Sequence, residues 1–177
     1  MLGVPAGLDA LVAPFAYDGV VRELVARAKY RQRHAALDWL ARAMTDSMTG
    51  AMTGATVDGR PGAVPSGVVV TFAPTTTARR RARGFDPAEV LAIGVATRMG
   101  VPVRSMLRRI GDRTQTGRSR LERATAPSFS ARQRCSGGLV VLVDDVVTTG
   151  ATMRAAAATL RAAGAITVLG LAAARRP

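Results

Sequence analysis

Three residue types that often carry chemistry are nearly absent from this chain. It has one cysteine, Cys135, one histidine, His34, and one lysine, Lys29. A single cysteine can close no internal disulfide and build no cysteine-based metal site. A lone histidine reads more readily as structural than as catalytic. Only seven residues are aromatic, so the core has to be built from small aliphatic side chains. No segment approaches the ~18 consecutive apolar residues of a membrane span, and no membrane insertion is expected. The opening residues, MLGVPAGLDALVAPFAYDG, lack a basic n-region, which argues against a secretory signal. A cytoplasmic location is therefore expected.

What is abundant is alanine, valine, glycine and arginine. There are 24 arginines, and the formal net charge is +13. Such a charge favours polyanionic partners, from phosphorylated metabolites to nucleic acid, but it also suits a merely solubilising surface. At 177 residues the chain is long enough for one domain with a substantial core.

Periodicity divides the chain into alternating helices and strands. Residues Tyr17–Tyr30 read as a helix with Val20, Val21, Leu24, Val25 and Ala28 on its apolar face, and Ala35–Met48 as a second with Leu37, Leu40, Ala41 and Met44 inward. Residues 49–66 are rich in Gly, Thr and Pro and read as a loop. Val68–Phe72 is a buried-strand pattern, followed by the turn Thr75-Thr76-Thr77 and the arginines Arg79, Arg80, Arg81 and Arg83. A helix is expected over Pro87–Met99, with Asp86 as its N-cap, Pro87 in its first turn, and Val90, Leu91, Ile93, Gly94 and Val95 near its apolar face. Val101–Met106 reads as a short strand and residues 108–137 as a long arginine-rich loop. Leu139–Val143 is a strand, Ala151–Ala163 a helix stopped by Gly164, and Ile166–Ala172 a final strand. Strands alternating with helices indicate a mostly parallel α/β sheet.

The stretch Val140–Thr152, VVLVDDVVTTGAT, concentrates the chemistry. Four apolar residues form a strand expected to be buried on both faces. Asp144 and Asp145 follow at its carboxyl end, where open α/β sheets place their ligands. The turn Thr148-Thr149-Gly150-Ala151-Thr152 then opens a helix. Its backbone N–H groups, hydroxyls and helix dipole suit a phosphate. The carboxylates suit sugar hydroxyls or a magnesium-bound diphosphate. Arg79–Arg83 can add cations whose planar forks match phosphate oxygens, or simply form a solvated basic helix start. No general base is evident; Asp86 and Asp112 are the candidates.

Val140–Thr152 resembles the phosphoribosyl-pyrophosphate (PRPP) motif of the type I phosphoribosyltransferases. The order of Tyr17, Arg22 and Lys29-Tyr30, then APTTTARRRARGF, RTQTGRSRLER, the acid-pair motif and LAAARRP is similar to the ComF/GntX family. The most specific fragments are Arg83-Gly84-Phe85, Thr114-Gln115 with Arg120 and Arg123, and Ala174-Arg175-Arg176. This resemblance implies a type I phosphoribosyltransferase fold: a mostly parallel sheet flanked by helices, with a small N-terminal helical segment. It places a hood-like segment over residues 1–66 and the phosphoribosyltransferase-like core over 67–177. It implies that Asp144 and Asp145 contact ribose hydroxyls and that Thr148, Thr149, Gly150, Ala151 and Thr152 hold the 5′-phosphate. Thr75, Thr76, Thr77 and Arg79 would face the diphosphate. Arg83, Arg113, Arg118, Arg120 and Arg123 are further basic candidates, the last four in a loop that would close over the ligand. Mg²⁺ is implied with PRPP. The family's four-cysteine zinc module has no counterpart here, and no zinc site is carried over. The implied role is ribose 5-phosphate transfer associated with DNA uptake during competence. The alternatives are a non-enzymatic accessory that binds single-stranded DNA or other uptake proteins, and a PRPP-sensing regulator. Oligomeric state is left open. Two departures stand out: Ala73-Pro74-Thr75 replaces the family's Pro-Val-Pro, and Asp86-Pro87 replaces its Asn-Gln.

Overall fold

The computed structural model describes residues 3–28, 34–52, 56–57, 60–61, 64–110, 127–135 and 138–177. The elements in chain order are β1 (Ala10–Val12), β2 (Phe15–Ala16), α1 (Gly19–Ala28), α2 (His34–Met52), β3 (Thr56–Val57), β4 (Arg60–Pro61), β5 (Val69–Phe72), α3 (Thr77–Arg83), α4 (Pro87–Met99), β6 (Leu107–Ile110), β7 (Ser128–Ala131), β8 (Leu139–Val147), α5 (Ala151–Ala162) and β9 (Thr167–Arg175).

The expected α/β architecture is present. The main sheet runs β1-β9-β8-β5, with β2 also on β9, and every pairing in it is parallel. Parallel strands buried on both faces read as continuous apolar runs, and β8 and β9 do so. Alternation along β8 sends Val141 and Val143 to a core shared with α1, α2 and α4. Val140 and Leu142 face the other way, into a core shared with α5, β6 and β7. The helices after β5 and β8 thus lie on opposite faces of the sheet. The crevice between the carboxyl ends of these two neighbouring strands is therefore a topological switch point.

Several elements differ from the sequence reading, each for a physical reason. The N-terminal residues give two short strands before any helix, because Asp9 anchors them. Its Oδ2 accepts the Val168 N–H at 2.7 Å and also pairs with the Arg161 guanidinium, which holds the Asp9 carboxyl below its usual range. In α1 Val25 and Ala28 are buried, but Val20 is 81 % exposed, one turn too early to reach the core. Helix α2 continues to Met52, and β3 pairs antiparallel with β4, where a loop over 49–66 was expected. Its inward residues Leu37, Leu40, Ala41 and Met44 are buried as expected.

Helix α4 has the expected bounds, with Asp86 as N-cap and Pro87 at its start. Its buried stripe, however, is Ala88, Leu91, Ala92, Val95 and Ala96, and Ile93 is 47 % exposed. The small residues face inward because α2 lies close: a Cβ on Gly94 would sit 2.8 Å from the Ala41 Cβ. The expected strand at Val101–Met106 reduces to one bridge, Val70 to Val103. Within the expected loop 108–137, β6 and β7 form an antiparallel ribbon from Leu107↔Ala131 to Ile110↔Ser128. Strands β8 and β9 run on to Val147 and Arg175, past the expected ends. No helix among the described residues is long and apolar enough to cross a membrane.

Gly164 closes α5 with φ +106°, and a Cβ there would lie 2.8 Å from the Cys135 carbonyl oxygen. Both effects penalise any side chain. Gly164→Ala is expected to cost about 2 kcal/mol, read as a lower denaturation midpoint with an unchanged m-value.

Candidate functional site

The switch-point crevice is a cleft of about 250 Å³ lined by residues from seven elements or their ends. It forms because β5 stops early. The last bond between the two strands' ends is Ala73 N–H to Val143 O at 2.9 Å, while β8 continues along β9. Beyond Val143 the β5-facing edge of β8 has no strand to pair with. The acid pair supplies part of what is missing. Asp144 Oδ1 accepts the Asp145 N–H and Asp145 Oδ1 accepts the Val146 N–H, both at 2.8 Å. These local side-chain bonds end the ladder as Asx turns do elsewhere. They also interrupt the two-residue alternation, so that Val146 packs with Val141 and Val143 on the α4 side.

Asp144 is 9 % exposed. Burial pushes its carboxyl well above the usual carboxylate range, and the neighbouring charges of Asp145 and Asp86 push it further. Asp86 forms the third acidic point of the cleft. Its Oδ2 accepts the Thr75 N–H at 2.7 Å and its Oδ1 accepts the Ala88 N–H at 3.1 Å. Burial raises its pKa, with those two hydrogen bonds acting in the opposite direction.

Of the residues expected to face the diphosphate, Thr75 and Arg79 line the cleft, as does the basic candidate Arg83. Thr76 instead caps α3, its hydroxyl accepting the Arg79 N–H at 3.2 Å, and Thr77 is that helix's first residue. Arg79, Arg80, Arg81 and Arg83 do not open α4. They belong to the separate helix α3, where Arg80, Arg81 and Arg83 occupy the last turn and so favour the dipole. Gly84 ends α3 in the left-handed region, φ 81°. Arg80 pairs with Glu89 at 3.1 Å.

The phosphate turn divides between two hollows. Thr148 and Thr152 face the cleft with the acid pair. Thr149 and Gly150 face a hollow beside the N-terminal residues Gly3–Ala6, with Arg154 and Arg175. Gly150, φ 72°, caps α5 without a side-chain hydrogen bond, and Ala151 is the first helical residue. The Ala151 N–H points to the Thr149 hydroxyl at 3.4 Å.

Two polar lining residues were not among those assigned to this site from the sequence. Tyr17 reaches it from the end of β2. Arg109 was expected in a loop, but it arrives on β6 with its guanidinium 5.6 Å from the Phe129 ring centroid and Nη1 donating to the Pro74 carbonyl at 3.5 Å. The sequence Leu107-Arg108-Arg109-Ile110 has no apolar alternation that could have signalled it. Arg113, Arg118, Arg120 and Arg123, with Asp112, lie outside the described residues.

Residues 84–175 match the family described as phosphoribosyl transferase domain. That span holds Asp86, Arg109, the acid pair and the Thr148–Thr152 turn. A solved structure of the allosteric regulatory enzyme of purine biosynthesis is similar over 84 % of this chain and 30 % of its own, with 21 % identity and a TM-score of 0.47. The chain thus spans under a third of that protein's length. No curated protein matches.

Because the folded protein raises the Asp144 pKa, it retains that proton at pH values where the unfolded chain has lost it. The stabilising effect of this protonation is complete at acid pH and is lost as pH rises through the folded pKa. Asp144→Asn keeps the acceptor for the Asp145 N–H without the buried charge. It is expected to melt close to wild type at acid pH and higher at pH 8, by about 2–4 °C. Thermal melts across pH check this.

Proposed function

Since the chain belongs to the phosphoribosyl transferase domain family, we propose that its cleft binds PRPP and that the protein transfers ribose 5-phosphate with release of diphosphate. The observation that carries this reading is that a carboxylate pair, Thr148 and Thr152 beside the start of α5, and the arginines Arg79, Arg83 and Arg109 line one switch-point cleft. Asp144 and Asp145 would take the ribose hydroxyls. The amino end of α5, with Thr148–Thr152, would take the 5′-phosphate by backbone N–H groups and hydroxyls. Thr75, Arg79, Arg83 and Arg109 would surround the diphosphate.

In such a transfer the bond from ribose C1 to the diphosphate oxygen breaks, and the diphosphate leaves with the electron pair. An acceptor then bonds to C1. The arginines stabilise the charge that develops on the leaving group. Both oxygens of Asp86 already accept backbone N–H groups, so it is a poor base, and the acceptor would need to be nucleophilic already. No cluster of three metal-ligating side chains occurs among the described residues. Mg²⁺ would arrive with the ligand, held by ligand phosphates and one or two carboxylates, Asp144 and Asp145. Bound there, the ion would neutralise charge on the diphosphate.

Within the family we place the chain with the ComF/GntX group, on the fragments Arg83-Gly84-Phe85 and Ala174-Arg175-Arg176, and associate it with DNA uptake in the cytoplasm. A second reading, a non-enzymatic accessory on single-stranded DNA, draws on the exposed arginines Arg104 and Arg108 at the β6 ribbon. The ribbon offers that reading little base stacking, because Phe129 is only 8 % exposed.

Calorimetric titration with PRPP and Mg²⁺ tests the proposal. Saturable binding is expected for wild type and loss of at least about 100-fold in affinity for Asp144→Asn/Asp145→Asn. No binding to wild type overturns it. Tight, salt-sensitive oligonucleotide binding that survives the double substitution supports the accessory reading instead. PRPP binding without turnover across nucleobases and amines indicates a sensor.

A further inference from the structure

Asp86 is 2 % exposed and has no direct part in the ligand contacts proposed above. Its charge is costly to bury, and burial pushes its carboxyl upward. Capping α4 does not explain that cost, because serine or asparagine caps a helix as well. What the carboxylate adds is a second oxygen. One oxygen holds the Ala88 N–H at the start of α4, and the other holds the Thr75 N–H at the end of β5, eleven residues earlier. The whole of α3, with Arg79 and Arg83, lies between those two points.

The same peptide unit is held at its other pole. The Pro74 carbonyl accepts from Arg109 Nη1, and the Phe129 ring lies beside that guanidinium. The plane of the Pro74–Thr75 peptide is thus fixed, with its N–H directed to one side of the cleft and its C=O to the other. The 5′-phosphate turn on α5 is built from different residues and shares none of these bonds.

We infer that Asp86 is a positioning residue for the diphosphate half of the ligand: by tying the Thr75 turn to α4 it sets Arg79 and Arg83 over the cleft. The inference rests on the PRPP reading and deepens it. At Asp86 the effect of charge and the effect of positioning on binding have opposite signs. Deleting a negative charge beside a polyanion would by itself tighten binding. Loss of positioning would weaken it, and only for ligands that carry the diphosphate.

The test compares PRPP with ribose 5-phosphate, which has the same sugar and 5′-phosphate but no diphosphate, by calorimetry on the whole chain. Asp86→Ser keeps an N-cap for α4 but cannot also reach the Thr75 N–H. Asp86→Asn keeps one carbonyl oxygen in place of two. Wild type is expected to bind both ligands. Asp86→Ser is expected to lose about tenfold in PRPP affinity while ribose 5-phosphate stays within about twofold, with Asp86→Asn between. Should melts show that the serine variant is unfolded, the asparagine variant decides by the same pattern. Unchanged or tighter PRPP binding, or equal losses for both ligands, overturns the inference and leaves the PRPP reading standing. Wild-type protein that binds neither ligand defeats the PRPP reading first, and this inference with it.

Discussion

Burying a carboxylate within a parallel strand is unfavourable, and the cleft depends on the sheet tolerating it at Asp144. The strand that carries it can do so because both of its faces are packed: Val141, Leu142 and Val143 are each fully buried. Burial of side chains of that size contributes about 1.5–3 kcal/mol apiece. The strand is therefore held in register along β9 from Leu139 to Val147, through the acid pair and beyond it. The carboxylates sit at the point where the neighbouring strand β5 has already stopped. Their position follows from strand length, and their side chains accept the Asp145 and Val146 N–H groups from within the strand itself.

The same constraint explains which parts of the structure can be read in the amino-acid order. Long apolar runs flanked by turn signals, as at Val68–Phe72 and Leu139–Val143, give strands with little ambiguity. The Asp86-Pro87 start of α4 is equally plain, because capping chemistry is local. What escapes is whatever depends on a distant partner. The strand Ala10–Val12 exists because Arg161 and Val168 hold Asp9 from the far end of the chain. The ribbon of β6 and β7 pairs residues some twenty positions apart, and its arginines obscure any apolar alternation. For the cleft, the acid pair and the threonine turn are legible as a motif. Arg109 and Tyr17 reach it only through tertiary packing. The double role of Asp86 is half legible, since one of its two bonds is a local cap and the other spans eleven residues.

The scarcity of aromatic residues has a consequence at the site. With alanine and glycine at the contacts, helices approach closely: Gly94 on α4 against Ala41 on α2, and Gly7 of the N-terminal segment 3.3 Å from the Ala157 Cβ on α5 if it carried a Cβ of its own. Gly170 on β9 likewise leaves room for Leu8 and Leu11. Close layers bring the amino ends of α4 and α5 to one crevice from opposite faces of the sheet. Two helix N-termini so placed can each contribute positive potential to one anionic ligand. At α4 that potential already stabilises Asp86, whereas at α5 the cap is a glycine with no side-chain hydrogen bond. The second is the end that the proposed reading gives to the 5′-phosphate.

The chain's +13 charge and the cleft's own charge do different things. A surface rich in arginine attracts any polyanion over long range and raises its encounter rate. The cleft, by contrast, sets Arg79, Arg83 and Arg109 against Asp86, Asp144 and Asp145. A ligand that is only a string of phosphates would meet three carboxylates and lose much of what the arginines offer. A ligand whose hydroxyls face the acid pair while its phosphates reach α5 and the arginines satisfies both sets at once. On the proposed reading, the balance of charges inside the cleft, against the excess outside it, would favour a sugar phosphate over a bare polyanion.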